Sequence, residues 1–205
     1  MIDRALRGRK ELVLAPLADA MPRRLHPTAI TFVALLPGLG AALAAARGAV
    51  VPAVALWLVN RALDGLDGTL ARRSGRQSAL GAYLDILCDV IVYAVIPLGI
   101  AAGQDSRAAW IAAASLLGTF YVNVISWSYL SAVLEGRGAG ARAGGELTAV
   151  TMPGGLIEGA ETVVLLAVAL AVPDWSVTVM WVMAAGVTIS VAQRAAWATR
   201  HLGTL

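Results

Sequence analysis

The chain has 205 residues, of which 59% are hydrophobic and 14% are charged. Ordinary soluble domains are about 45–50% apolar and about 25% charged, so this composition excludes a sizeable soluble domain and indicates a protein that crosses a membrane several times. The net charge of +3 is too small to indicate nucleic-acid binding, and the one cysteine, Cys88, excludes an intramolecular disulfide framework and a thiolate metal cluster.

The N-terminal segment is polar and basic, and no apolar run with a small-residue cleavage site follows it, so we expect no signal peptide. Basic and apolar positions alternate through residues 3–20, which is typical of an amphipathic helix that lies on anionic lipid. A solvated basic tail is the alternative. We assign residues 1–24 to this juxtamembrane segment and residues 25–205 to a transmembrane domain.

Six apolar stretches are long enough to span a membrane, for which about 20 residues are needed. They cover residues 27–46, 50–70, 80–103, 108–134, 147–172 and 175–197. Lys and Arg are concentrated in the N-terminal segment, in the second and fourth loops and in the tail, so the positive-inside rule predicts that both termini are cytoplasmic. We therefore expect an all-α bundle of six transmembrane helices in the cell (inner) membrane, preceded by the interfacial amphipathic helix.

Four aspartates lie where the second and third stretches approach their short connecting turn. Asp64 and Asp67 are three residues apart, and Asp85 and Asp89 are four apart, so each pair shares one helical face. The two helices are predicted antiparallel neighbours, so the four carboxylates can converge. Such carboxylates repel one another and are costly to desolvate, and a hard divalent cation removes this conflict. The alternative is a set of helix-end salt bridges to Arg61, Arg72 and Arg73.

Glycines surround these aspartates, although glycine costs about 1 kcal/mol in a helix interior. Gly65 and Gly68 flank the first pair, and Gly81 precedes Asp85 by four residues on the same face. Glycines allow a ligand to approach the backbone, and helix packing is their alternative use in membranes. Together with Arg72, which could pair with phosphate, this arrangement predicts a pyrophosphate site.

The pattern resembles the CDP-alcohol phosphotransferase signature. DGLDGTLAR begins at Asp64 and is followed by eight residues, Gly81, three residues, Asp85, three residues and Asp89, so all eight fixed positions are present. The resemblance covers residues 25–200. It implies a six-helix homodimer with cytoplasmic termini and active site, a cytidine diphosphate-linked donor, and Mg²⁺ or Mn²⁺.

The resemblance also implies roles for individual residues. The four aspartates would hold two divalent ions, and Asp89 would in addition accept the proton of the acceptor hydroxyl. Thr28 departs from the asparagine that many relatives carry near the start of the first helix. Asn60, which shares an i, i+4 row with Asp64, is included among the candidate donor-binding residues. These are Thr31, Asn60, Gly68, Ala71, Arg72, Ser78 and Gly81.

A second acidic pair, Glu158 and Glu161, lies within the fifth apolar stretch. Carboxylates inside a membrane are costly and are usually functional, and two anions would disfavour an acceptor that carries its own phosphate. We therefore predict that the pair contributes to the acceptor site, with Tyr83 and Asn123 as further candidates. The alternative is a structural pair satisfied by Arg194, Arg61 or Thr162.

The expected function is phospholipid synthesis, in which a substituted phosphate is transferred to an alcohol hydroxyl and CMP is released. The simplest form moves phosphatidyl from CDP-diacylglycerol. In an alternative, a CDP-linked amino alcohol or polyol donates its head group to a diacylglycerol-like lipid. Two remoter alternatives are a polyprenyl-diphosphate transferase, which would release pyrophosphate, and a small cation transporter, which would release neither product.

Overall fold

A computed structural model describes residues 15–21, 26–140 and 154–202. These residues form six long or medium α-helices and no strand, as predicted for an all-α protein. A single 3₁₀ turn, Pro173–Trp175, precedes the last helix. The helices are α1 (Pro27–Ala46), α2 (Val50–Arg73), α3 (Ala79–Gln104), α4 (Arg107–Gly136), α5 (Gly159–Ala171) and α6 (Ser176–Leu202).

Four segments of the described chain are long and apolar enough to cross a membrane. They are Pro27–Ala46, Ala79–Gln104, Arg107–Gly136 and Pro173–Leu202. Helix α2 has 24 residues, but charged side chains follow one another along its second half. Helix α5 has 13 residues, fewer than the about 20 that a spanning helix needs.

Helix α5 begins at Gly159, whereas the apolar stretch predicted a helix from residue 147. Residues 147–153 lie outside the described part of the chain, and residues 154–158 are not helical. The Glu158 backbone N–H donates to the Glu161 carboxylate at 3.1 Å, and the Glu158 carboxylate accepts from the Gly155 N–H at 2.9 Å. The two glutamates thus form a capping arrangement that satisfies backbone donors where α5 starts. The prediction that they lie inside a longer helix was wrong.

Helix α1 packs against both α2 and α3. Where α1 and α3 finish, their backbones approach so closely that a Cβ at Gly99 would clash with the carbonyl of Ala42. One turn further, a Cβ at Gly103 would clash with the carbonyl of Ala45. Small residues permit this close approach of membrane helices. Helices α1, α2 and α3 together are called the α1–α3 unit here. We call these four residues its glycine end.

The opposite end of this unit joins the start of α1, the end of α2 and the start of α3, because α2 runs antiparallel to the other two. A turn at residues 74–78 connects α2 to α3, and Gly75 adopts a positive φ of 65° within it. Ser78 caps α3, since its hydroxyl accepts the N–H of Gly81 at 3.0 Å. We call this the carboxylate end, because it carries the four aspartates.

A helical segment at residues 15–20 covers part of the carboxylate end. Its Ala18 is buried in a small cluster with Ile30, Leu66 and Leu70. The remainder of the predicted N-terminal amphipathic helix lies outside the described residues.

Candidate active site

Three of the four aspartates line one small cavity at the carboxylate end. Asp64, Asp67 and Asp89 surround a volume of about 10 Å³, together with Cys88. Asp85 does not line the cavity, but all four carboxylates interact electrostatically with the Cys88 thiol. The two signature pairs therefore occupy one region between α2 and α3.

Asp67, on α2, accepts a hydrogen bond from a side chain of α1. The Thr31 hydroxyl donates to Asp67 Oδ2 at 2.6 Å, and both side chains are buried. Thr31 follows Pro27 by four residues, one turn into α1, so the N-terminus of this helix positions the hydroxyl above α2. This bond ties α1 directly to the signature.

Asp64 and Asp89 are bridged by Arg61. The Arg61 Nη2 donates to Asp89 Oδ1 at 2.8 Å, and its Nη1 lies 3.7 Å from Asp64 Oδ2. The salt-bridge alternative thus holds for these two aspartates, with Arg61 as the cation. Arg73 instead pairs with Asp19, at 2.6 Å.

The side chains of this site offer the type of ligand atom that a divalent cation binds. Carboxylate oxygens are the ligands that Mg²⁺ and Mn²⁺ prefer. In this conformation, no three His, Cys, Asp or Glu side chains within residues 15–21, 26–140 and 154–202 are grouped so that they could hold one ion. In this arrangement, Arg61 and Thr31 hold oxygens of Asp89 and Asp67, so these side chains would have to turn before they could share a cation.

Two further residues that were predicted to bind the CDP-linked donor touch this cluster of aspartates. Asn60 is buried and lines the cavity; its Nδ2 donates to the Ala34 carbonyl at 2.7 Å, and its Oδ1 accepts from Arg61 Nε at 2.7 Å. Gly68 lies beside Arg72, since a Cβ there would be 3.3 Å from Arg72 Nη1. Both residues border the aspartates from α2, Asn60 through the cavity and Gly68 through the contact of its backbone with the Asp67 carboxylate.

The remaining predicted donor residues lie at the α2–α3 turn. Ala71 and Arg72 are half-buried, and Ser78 is exposed. The Arg72 guanidinium donates to the Thr69 hydroxyl at 3.4 Å. A Cβ at Gly81 would meet the Ser78 hydroxyl at 3.0 Å, so the missing side chain keeps the capped start of α3 open.

Two of the predicted acceptor residues belong to a second polar cluster, between α4, α5 and α6. The buried Arg194 donates from Nη1 to Asn123 Oδ1 at 3.0 Å and interacts electrostatically with Glu158. Glu161 bonds to the Glu158 backbone, as described above. Tyr83, in contrast, is 61% exposed on α3 and does not line the cavity.

Two aromatic residues of the site escaped the sequence analysis. The Tyr93 hydroxyl accepts from Arg61 Nη1 at 2.9 Å, and the Arg61 guanidinium lies 4.9 Å from the Trp57 ring centre. Their spacing carried a signal, because Trp57 precedes Arg61 by four residues and Tyr93 follows Asp89 by four. Each therefore lies one turn from a signature-region residue on the same helical face.

One family model and two curated relatives match most of this chain. The CDP-alcohol phosphatidyltransferase family model matches residues 24–192. The inner membrane protein YnjF of Escherichia coli (strain K12) is 33% identical over 177 residues, which cover 85% of this chain and 84% of that protein. The phosphatidylinositol phosphate synthase of Corynebacterium glutamicum is 30% identical over 202 residues, with 92% of this chain and 86% of that protein covered.

Solved structures agree on the fold. The phosphatidylinositol phosphate synthase PgsA1 of Mycobacterium tuberculosis, with CDP-DAG bound, superposes with a TM-score of 0.70 at 25% identity, covering 89% of this chain and 92% of that one. Its complex with manganese and citrate gives 0.69 at 24% identity, covering 89% and 87%, and shows the fold alone. Since the family model matches most of the chain and the sequence relatives match it nearly end to end, this chain belongs to the CDP-alcohol phosphatidyltransferase family.

Proposed function

We propose that this chain transfers the phosphatidyl group of CDP-diacylglycerol to the hydroxyl of an alcohol and releases CMP. The observation that carries the proposal is the gathering of the signature aspartates in one region, three of them around one cavity. The bound CDP-DAG in the PgsA1 structure favours the lipid as the CDP-linked partner. A soluble CDP-alcohol donor is the less supported alternative.

The chemistry assigns different tasks to the residues. Asp89 accepts the proton of the alcohol hydroxyl while the alcohol oxygen attacks the phosphorus distal to cytidine. A phosphorus–oxygen bond to the alcohol forms while the bond to CMP breaks. The half-buried Arg72 pairs with the diphosphate, and Thr31, Asn60, Gly68, Ala71, Ser78 and Gly81 complete the donor site.

Two divalent ions, held by the four aspartates, would neutralise charge on the diphosphate and on the departing CMP when bound. The supporting facts are the set of carboxylate ligands and the membership of the chain in the CDP-alcohol phosphatidyltransferase family. Mg²⁺ and Mn²⁺ are both proposed to serve.

The decisive experiment uses the purified chain in liposomes that contain CDP-diacylglycerol, with a panel of alcohols and Mg²⁺. We expect CMP release together with a new phospholipid that carries the alcohol. Release of pyrophosphate from a polyprenyl diphosphate, or the absence of CMP release with every alcohol, would reject the proposal. Synthesis from a CDP-amino alcohol and diacylglycerol would instead favour the reversed assignment of donor and acceptor.

The acceptor is proposed to lack a phosphate of its own. Glu158 interacts with Arg194, so the charge that would attract an anionic acceptor is already opposed by a carboxylate, and Glu161 adds a second one. Like charges repel strongly in a low-dielectric site. Neutral polyols and amino alcohols should therefore be better substrates than glycerol 3-phosphate or inositol phosphate.

Competition between glycerol and glycerol 3-phosphate, and between inositol and inositol phosphate, tests this assignment directly. The Glu158→Gln variant removes the charge but keeps an acceptor for the Gly155 N–H. It should lower turnover with the true acceptor more than it weakens donor binding. Efficient use of either phosphorylated alcohol by the unmodified chain would contradict the assignment.

The membrane arrangement is proposed as a six-helix bundle in the inner membrane, in which residues before Gly159 extend the short α5 across the bilayer, with both termini and the active site cytoplasmic. It is supported by four segments of spanning length, by the Lys/Arg distribution and by the similarity to an inner membrane protein. A cysteine introduced at the exposed Ser78 should react with a membrane-impermeant thiol reagent only in inside-out vesicles.

Residues 1–24 are proposed to lie on the lipid surface, and residues 25–205 are proposed to form a homodimer. Light scattering of the detergent-solubilised protein would test the homodimer.

A further inference from the structure

Arg61 is a buried cation among the carboxylates, with its side chain 10% exposed. Its two terminal nitrogens reach Asp89 Oδ1 at 2.8 Å and Asp64 Oδ2 at 3.7 Å. One guanidinium therefore bridges one carboxylate from each signature pair. These are two of the four side chains that the proposed function assigns to divalent ions.

A second set of contacts holds the same guanidinium without any carboxylate. Arg61 Nε donates to Asn60 Oδ1 at 2.7 Å, and Nη1 donates to the Tyr93 hydroxyl at 2.9 Å. The guanidinium carbon lies 4.9 Å from the ring centre of Trp57 and 5.0 Å from that of Tyr93, within the range of cation–π contacts. The guanidinium can thus release both aspartates and still remain bound.

A fixed positive charge at this position has two opposite effects. Without a metal it stabilises carboxylates that would be costly to bury unpaired. With a metal it repels the incoming cation and competes for the same oxygens. The cavity of about 10 Å³ has space for roughly one water, so it does not admit a hydrated ion beside the guanidinium.

We propose that Arg61 is a built-in counter-ion, which holds Asp64 and Asp89 in the metal-free protein and is displaced from both when a divalent cation binds. The proposal rests on the proposed function, because that function assigns these aspartates to the metal. In the metal-bound protein, the guanidinium keeps its aromatic and amide contacts and gives up the carboxylates. Arg61 therefore sets the metal affinity of the site without being a metal ligand.

Mn²⁺ binding to the purified full chain in detergent tests the proposal, with electron paramagnetic resonance reporting the free ion. Arg61→Gln should bind Mn²⁺ about tenfold more tightly, or better, because one opposing charge is gone. Arg61→Lys keeps that charge and should remain within about threefold of the unmodified chain. Arg73→Gln is the matched control, since it removes an arginine of the same helix whose partner, Asp19, lies outside the signature.

Equal Mn²⁺ affinity of the unmodified chain and Arg61→Gln would overturn the counter-ion proposal and leave the proposed function intact. An Arg61→Lys variant that binds as tightly as Arg61→Gln would also overturn it, because charge would then not be the cause. If the unmodified chain binds no Mn²⁺, the metal assignment of the proposed function falls as well.

A second measurement needs no change at Arg61 and so does not depend on the folding of its variants. Displacement leaves the guanidinium against Trp57 but removes its carboxylate partners, which changes the electric field at the indole, so Mg²⁺ should change the tryptophan fluorescence of the unmodified chain. The Trp57→Phe variant should lose most of that change. A Mg²⁺ response that is absent from the unmodified chain, or one that persists in Trp57→Phe, would contradict the proposal.

Discussion

The two ends of the α1–α3 unit are held together by different kinds of interaction. At the glycine end, helix backbones touch at Gly99 and Gly103, and the contact is one of shape. At the carboxylate end, the same helices are connected through α2, by polar bonds from Thr31 to Asp67 and from Arg61 to Asp89. One end has no charge to rearrange, and the other has several.

This difference separates the task of positioning from the task of catalysis. Close backbone packing has few alternative arrangements, because interiors are dense and a displaced helix loses its contacts. A network of hydrogen-bonded ions can exchange partners without moving the helices. The glycine end therefore fixes where α1 and α3 lie, and this leaves the side chains at the carboxylate end free to change partners.

The largest effect is expected from removing divalent cations, which acts on the carboxylate end alone. EDTA should reduce CMP release to background while the helical circular dichroism signal is preserved, because packing and lipid hold the helices. Restoring Mg²⁺ or Mn²⁺ should restore activity. Undiminished CMP release in EDTA would refute the two-metal mechanism.

The next effect is expected from Asp89→Asn, which neutralises the proposed base. Turnover should fall by about 10²–10⁴-fold, the usual contribution of a positioned acid or base. Binding of the CDP-linked donor should change little, since three carboxylates remain. Asp19→Asn is the control, because this carboxylate is exposed and pairs only with Arg73 among the ion pairs described. A turnover of Asp89→Asn near that of the control would remove Asp89 from the mechanism.

At the glycine end, Gly99→Ala should lower stability rather than chemistry. The added methyl would meet a backbone carbonyl, which cannot move aside, and overpacking of this kind costs about 1–3 kcal/mol. Thermal unfolding in detergent provides the measurement. Gly118→Ala in α4 is the matched control, since nothing lies within 4 Å of its Cβ position. Equal melting temperatures for the two variants would argue against tight packing at this end.

The smallest effect is expected from Arg73→Gln, at the surface of the carboxylate end. The Arg73 and Asp19 side chains are 44% and 55% exposed. Exposed ion pairs contribute about 0–1 kcal/mol, so the unfolding midpoint should hardly change. A loss as large as that of Gly99→Ala would mean that residues 15–20 anchor the bundle.

Hydropathy predicted most of the fold because apolar length is a local property of the chain. The first predicted stretch, 27–46, coincides with α1, and the boundaries of α3 and α4 differ by one or two residues. The fifth stretch failed because hydropathy does not register helix caps. The Glu158-x-x-Glu161 spacing was visible in the sequence, but the surrounding apolar residues outweighed it.

The aspartates were predictable as a group because their spacing within each helix assigns them to one face. The partner of each aspartate was not predictable, since it depends on how the helices rotate against one another. Arg61, Arg72 and Arg73 were equivalent candidates in the sequence. Tertiary structure distinguishes them, because residues 15–20 bring Asp19 to Arg73, and α3 brings Asp89 to Arg61.

The small volume between the aspartates also bears on fidelity. Water is the most abundant nucleophile near any phosphoanhydride, and its attack would waste the donor by hydrolysis instead of building a lipid. A cavity of about 10 Å³ admits roughly one water at most, so the metal-free protein has no room at the aspartates for the CDP-linked donor and water together. Hydrolysis of the donor is therefore blocked there until the side chains rearrange for the cations.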